Sequence, residues 1–222
     1  MLIYPWGNRY LLATFAILAI HLSAGGQIFP TDNALTLYPG TYIHTEAWYT
    51  DASGVDVIIQ NSFPKWGTPL LDSARRALGF SSLIFFNRII NEGNVPIEVT
   101  VDFPSDSFPS PVSSDAYLNV FLPADSMTIS NETAYSYGLT SLSSLFEGDA
   151  AEAATLQRTI YPKQACTFYV VILFYQPKTK QGRGFYQTGS RAKLVLEGQN
   201  LFYKINQLDF KAISCGQIML KG

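Results

Sequence analysis

The sequence predicts an all-β protein built as an antiparallel sandwich, and three observations carry the prediction. Apolar and polar residues alternate with period two in several short segments, as a half-buried strand requires. Clusters of Gly, Asn, Asp, Ser and Pro punctuate the chain between those segments, and helical periodicity is scarce. Aromatics make up 14% of the 222 residues, with 16 Gly and 12 Pro, a composition suited to strands joined by many turns. Hydrophobic residues reach 47% at a net charge of −2, so the chain is not intrinsically disordered. With 15 Lys and Arg against 17 Asp and Glu, it also lacks the basic footprint of a nucleic-acid binder.

The elements follow in order. Arg9, an apolar run over 10–22 and the small residues Ser23, Ala24, Gly25 and Gly26 have the layout of a secretory signal peptide over residues 1–26. The run is shorter than the ~20 residues that cross a bilayer, so no membrane span is expected after cleavage. Residues 27–222 are then read as a single elaborated β-sandwich domain. Segments 41–50 and 55–61, rich in Tyr, Ile, Val and Thr, flank the turn Asp51-Ala52-Ser53-Gly54 and read as a hairpin. Phe63-Pro64-Lys65-Trp66-Gly67 breaks the pattern. Residues 70–78 carry apolar side chains at 70, 71, 74, 77 and 78 and are the best helical candidate. Residues 82–90 read as a buried strand and 91–94 as a turn. In 95–103, Ile97, Val99, Val101 and Phe103 share one face, with Pro96 at the entry.

Residues 104–115 are a loop and 117–122 a short strand. The stretch 126–156 is mixed, with a helical turn expected near 150–156. Residues 168–175 are almost continuously apolar, so both faces of that strand need cover. Ala192, Leu194 and Leu196 alternate with Lys193, Val195 and Glu197. Residues 201–205 and 214–220 complete about nine strands.

Residue chemistry narrows the function classes. The histidines are His21, in the leader, and His44, in a strand pattern. A catalytic set could therefore use only His44, and a two-His metal site is excluded. No phosphate loop, GxSxG, HExxH or EF-hand pattern is present, so no catalytic residue, metal ligand or cofactor is expected. The acid pairs Asp51/Asp56 and Asp102/Asp106 flank turns, where Asp is ordinary turn chemistry; a carboxylate-dependent hydrolase is the competing reading. Asn131-Glu132-Thr133 fits a glycosylation sequon, which chance also supplies. Cys166 and Cys215, an even count in an exported chain, are the candidate disulfide; two buried thiols are the alternative.

Trp48, Tyr49, Trp66, Tyr135, Tyr137, Phe185, Tyr186, Phe202 and Tyr203 either fill the core or build a docking face. Phe185 and Tyr186, beside Lys178, Lys180 and Arg183 on a loop, together with Trp48 and Trp66, are the candidate contact residues.

Three segments carry a family resemblance: Phe86-Asn87-Arg88-Ile89-Ile90-Asn91-Glu92-Gly93-Asn94-Val95-Pro96-Ile97-Glu98-Val99, then Thr159-Ile160-Tyr161-Pro162-Lys163-Gln164-Ala165-Cys166-Thr167-Phe168-Tyr169-Val170-Val171, then Gly189-Ser190-Arg191-Ala192-Lys193-Leu194-Val195-Leu196. They resemble the immunoglobulin-type domains of the PapD-like superfamily, in particular the ASPM–SPD-2–Hydin and major-sperm-protein relatives. The resemblance implies an antiparallel immunoglobulin-like β-sandwich core over about 83–206; the chain departs from it by an added N-terminal hairpin, a long mid-chain insertion over 104–158 and an extended loop over 177–189. It supplies no active-site residues.

The expected function is that of an exported, non-catalytic β-sandwich acting through protein–protein contacts as a cell-envelope or extracellular component. The setting is the periplasm, the outer-membrane surface or the extracellular space, and the partner another envelope or secreted protein. A carbohydrate-binding module using exposed aromatics is the alternative.

Overall fold

The structure, a computed structural model, describes residues 42–50, 54–67, 80–104, 107–109, 117–140, 142, 154–175, 192–205 and 212–220. The expected leader, the helical candidate at 70–78 and the basic loop at 177–189 lie outside them. The described residues form two antiparallel sheets and no α-helix.

The larger sheet contains β1 (Ile43–Thr50), β2 (Asp56–Ser62), β3 (Lys65–Trp66), β4 (Phe80–Asn91), β6 (Phe108–Pro109), β7 (Tyr117–Phe121) and β9 (Ala165–Tyr175). Its order is β1-β2-β4-β9-β7-β6, with β3 also on β4. The smaller sheet runs β10 (Ala192–Glu197), β11 (Asn200–Ile205), β12 (Ile213–Leu220), β5 (Ile97–Val101), β8 (Leu156–Ile160). The expected hairpin is β1–β2, in register from Thr45↔Asn61 to Thr50↔Asp56. Leu156 opens a strand where a helical turn was expected, because β5 offers it a ladder from Val101↔Leu156 to Ile97↔Ile160. The turn after β4 carries the chain from one sheet to the other, so β5 does not pair with β4.

The inner faces of the two sheets share one core. Val57, Ile59, Leu83, Phe85, Val170 and Ile172 of the larger sheet meet Ile97, Val99, Leu194, Leu201 and Tyr203 of the smaller. The smaller sheet leaves its other face wet, where Gln157–Glu98 and Lys204–Glu197 pairs lie. The larger sheet does not. Ile84, Phe86, Tyr169, Val171 and Leu173, on the outer face of β4 and β9, pack under Met127, Tyr137, Leu139 and Leu142. Segment 122–142 is thus a strap over the outer face, built on two 3-10 turns, Ile129–Asn131 and Tyr135–Gly138.

Two buried asparagines tie the sheets together. Asn61 Nδ2 donates to the Leu194 carbonyl (3.2 Å) and to Thr45 Oγ1 (3.0 Å). Asn61 Oδ1 accepts from the Leu194 N–H (2.6 Å) and from Asn87 Nδ2 (2.6 Å). Both donors and both lone pairs are used. The carboxamide binds the N–H and C=O of one residue, as a neighbouring strand would, and so joins β2 to the edge of β10. Across the sandwich, Asn91 Nδ2 donates to the Val95 and Ile160 carbonyls, and its Oδ1 accepts the Gly93 N–H. In β12, Gly216 has φ of 142°, and a Cβ there would strike the Thr100 carbonyl.

The cysteines correct an expectation. Cys166 and Cys215 are free thiols. Cys166 lies in β9, opposite Ile89, whereas Cys215 lies in β12 of the other sheet. Each packs as a small apolar side chain, and burial raises both thiols, Cys215 to about 12 and Cys166 against the opposing pull of Arg158. A thiol held protonated is a poor nucleophile.

Two outcomes follow. Asn61→Ala leaves the Leu194 N–H buried and unpaired, and should cost about 2–4 kcal/mol in urea unfolding, whereas Asn119→Ala, which loses an exposed bond to Ser107, should stay within ~0.5 kcal/mol. Iodoacetamide at neutral pH, without reductant, should leave Cys215 unmodified in the native protein and alkylate both cysteines in urea. Failure to alkylate either in urea would indicate a bridge.

Candidate binding surface

The break in the β2–β3 edge creates the candidate site. Pro64 has no N–H for the ladder, so β2 ends at Ser62 and pairing with β4 resumes at Lys65↔Ile84. Ser62 Oγ takes up the Phe86 N–H left at the gap (2.8 Å). Phe63 and Trp66, either side of the break, are both 46% exposed.

The strap meets this edge at its second 3-10 turn. Tyr135 stands 68% exposed, while Ser136 and Tyr137 are buried. Ser136 (φ 49°) and Tyr137 (φ 56°) are both left-handed, followed by Gly138 at 77°. Consecutive non-glycine residues in that region cost on the order of 1 kcal/mol each or more, so surrounding contacts must hold them. Those contacts are specific. The Tyr137 hydroxyl donates to the Phe63 carbonyl (2.5 Å), Ser136 Oγ to the Trp66 carbonyl (2.8 Å), and the Tyr169 hydroxyl to the Tyr137 carbonyl (2.7 Å). The Tyr137 ring meets Phe86 edge-on at 4.9 Å. One turn therefore fixes the main chain at Phe63 and Trp66, and Tyr135 opens that turn on the strap side of the sheet. The exposed aromatics Phe63, Trp66 and Tyr135 rim this edge, termed the ledge: Trp66, paired with Leu83, leaves the sheet on the inner-face side, Tyr135 stands on the strap, and His44 of β1 lies 4.7 Å from Phe63.

Charge at the ledge is turned inward. Lys65 Nζ donates to the carbonyls of Glu132 (2.6 Å) and Ala134 (2.7 Å) and lies 4.1 Å and 4.2 Å from the ring centres of Tyr42 and Tyr137. Partial desolvation lowers its pKa, and Glu132 pulls it back up. Glu132 is buried and accepts the Tyr42 N–H at 2.6 Å. Burial also lowers the half-buried Arg88, with Glu132 again opposing. Desolvation raises the Tyr137 phenol to about 12, against the Ser62 hydrogen bond and with help from Glu132 and Tyr42.

The sequence-predicted residues separate. Trp66 and Tyr135 are on the ledge. Trp48 is half-buried on β1, opposite Ile58, with Nε1 on Glu46 Oε1 at 3.1 Å. Ile58 is five positions before Phe63, which sets Trp48 on the order of 15 Å from the near end of the ledge. Tyr49, Tyr137 and Tyr203 are core residues, and Phe202 is half-buried opposite Val195. Lys178, Lys180, Arg183, Phe185 and Tyr186 lie outside the described residues. Phe63 and Lys65 were missed as site residues; the signal was an aromatic on each side of a proline break.

Other candidates carry less. Asp56 accepts the Thr50 hydroxyl at 2.6 Å, a role that holds the β1–β2 turn, while Asp51 and Asp106 lie outside the described residues. Among the described residues no three His, Cys, Asp or Glu converge as a metal site. An apolar cavity of about 40 Å³, lined by Tyr49, Val57, Ile97, Leu196, Ile218 and Leu220 among others, has room for roughly one water. No helix among the described residues is long and apolar enough to cross a membrane. Compared with known proteins, the chain matches no family model, no curated sequence and no solved structure.

The raised phenols give a pH expectation. Tyr137 and the fully buried Tyr203 are raised in the fold, as is Cys215. Groups raised on folding stabilise fully below their unfolded pKa, and that contribution fades as pH climbs toward the folded value. The urea midpoint should be flat to about pH 8, begin to fall as the cysteines of the unfolded chain ionise near pH 8.5, and fall further between about pH 10 and 12 as its tyrosines do. Tyr137→Phe should flatten part of that fall at some loss of neutral stability.

Proposed function

We propose that the chain is an exported, non-catalytic β-sandwich protein that works by contact. On this reading it is a structural or accessory component of the cell envelope or extracellular space, and another envelope or secreted protein docks on the ledge of Phe63, Trp66 and Tyr135. The observation that supports this is the strained turn at 136–137. Left-handed non-glycine residues persist only where their surroundings over-determine them, and such residues cluster at binding sites. Here two hydrogen bonds of the turn end on the main-chain carbonyls of exposed aromatics, the residue types that dominate docking surfaces. Rigid aromatics lose little entropy on binding.

The carbohydrate-binding reading has one observation in its favour. Over residues 128–140 the strap exposes Thr128, Ser130, Thr133 and Thr140, and the charged side chain in that stretch, Glu132, is buried. Hydroxyls beside aromatic rings suit a neutral sugar as well as an uncharged protein face.

A photo-crosslinking amino acid at Tyr135, expressed in the native host, tests the proposal. It should capture one discrete protein, and Phe63→Ala with Trp66→Ala should abolish that capture while moving the melting temperature little, since both side chains are half-exposed. Capture undiminished by the double variant would contradict the proposal. Binding to a neutral glycan array, lost in the same variant, would select the second reading.

A further inference from the structure

The cation in the base of the ledge has a definable task. Lys65 sits between Phe63 and Trp66 along the interrupted edge, in a strand only two residues long. Its ammonium has three donors and no acceptor capacity. Two of those donors meet the carbonyls of Glu132 and Ala134, and the rings of Tyr42 and Tyr137 lie about it at contact distance for a cation. The Ala134 carbonyl also accepts the Tyr137 N–H that closes the left-handed turn, at 3.1 Å. One carbonyl is therefore shared between the lysine and the strained backbone. A neutral side chain of the same length fills the space but leaves that carbonyl pair short of a donor.

We infer that Lys65 is the positioning residue of the ledge: its charge, caged by two tyrosines and two main-chain carbonyls, locks the left-handed turn at 135–138 onto β3 and so fixes where Tyr135 stands. The inference rests on the reading of the ledge as the docking surface, but the lock itself is a property of the free protein. Lys65 does not offer its charge to the partner. Three of the other hydrogen bonds that hold the turn run from Tyr137 to Phe63, Ser136 to Trp66 and Tyr169 to Tyr137. All three are bonds between neutral groups, so the lysine supplies the charged hydrogen bonds, the stronger kind.

Hydrogen exchange read by mass spectrometry on the full chain tests the lock without any partner. In Lys65→Met, amides of 132–139 should exchange on the order of tenfold faster than in the wild type, with β4 and β9 unchanged. Trp66 emission should shift at the same time. Lys65→Arg keeps the charge but presents a planar fork, and should give a smaller acceleration confined to the same amides. Unchanged protection of 132–139 in Lys65→Met would overturn the inference. So would equal acceleration in β4 and β9, which would make Lys65 a general stabiliser. If Lys65→Met does not fold, the arginine variant decides by the same two criteria. A lock that fails this test leaves docking to be judged by the Phe63→Ala, Trp66→Ala double variant alone, and a failed docking test leaves the lock standing.

Discussion

The central pair of strands, β4 and β9, is apolar on both faces, and the rest of the molecule is arranged around that constraint. Leu83, Phe85, Val170 and Ile172 point one way, and Ile84, Phe86, Tyr169 and Val171 the other. A sheet with one oily face needs one cover; this pair needs two. The smaller sheet is the first cover and contributes a second layer of regular structure. The strap is the second cover, and it does the same work with one short 3-10 turn, Ile129–Asn131, and a tight turn at Tyr135–Gly138 whose Ser136 and Tyr137 are left-handed. A cover with so little regular hydrogen bonding must satisfy its polar groups through side chains. The bonds from Tyr137, Ser136, Tyr169 and Lys65 do that, and in doing so they create the ledge.

The seams of the sandwich follow the same economy. Neither sheet is continuous with the other, yet Asn61 and Asn91 each span the gap with a carboxamide. Asn61 binds both the N–H and the C=O of Leu194, whereas Asn91 crosses with one donor, to the Ile160 carbonyl, and uses its oxygen within its own turn, on the Gly93 N–H. Both asparagines are buried, and leaving such a group half-paired is costly. The inter-sheet geometry is fixed by few residues, and the ledge inherits that rigidity through β2, which runs from the Asn61 seam directly into the break at Phe63.

The strands were legible wherever one face is wet. Ile97, Val99 and Val101 against Glu98 and Thr100, and Ala192, Leu194 and Leu196 against their polar neighbours, gave period two without ambiguity. The doubly covered β9 was also readable, because continuous apolarity over that length leaves few other choices. The strap was not. Met127, Tyr137, Leu139 and Leu142 have no period, since their backbone is neither helix nor strand and includes left-handed residues. The docking aromatics were half visible: composition pointed to Trp66 and Tyr135, but burial alone separates them from Tyr49, Tyr137 and Tyr203. Lys65 could not be singled out, because its partners lie 67 and 69 positions away.

A binding surface of this kind differs from a loop-borne one. Its exposed residues are few, and most of its residues are buried support. Substitutions in the support are expected to blur the surface without touching the partner. The most direct test of this account is proton NMR of the free protein. The rings of Phe86 and Tyr137 should show cross-relaxation, and the ε-methylene protons of Lys65 should lie upfield of their ordinary position under the ring currents of Tyr42 and Tyr137. Lys65 signals at random-coil positions, with no contact between Phe86 and Tyr137, would mean that the strap does not cover the outer face and that the ledge does not exist as a unit.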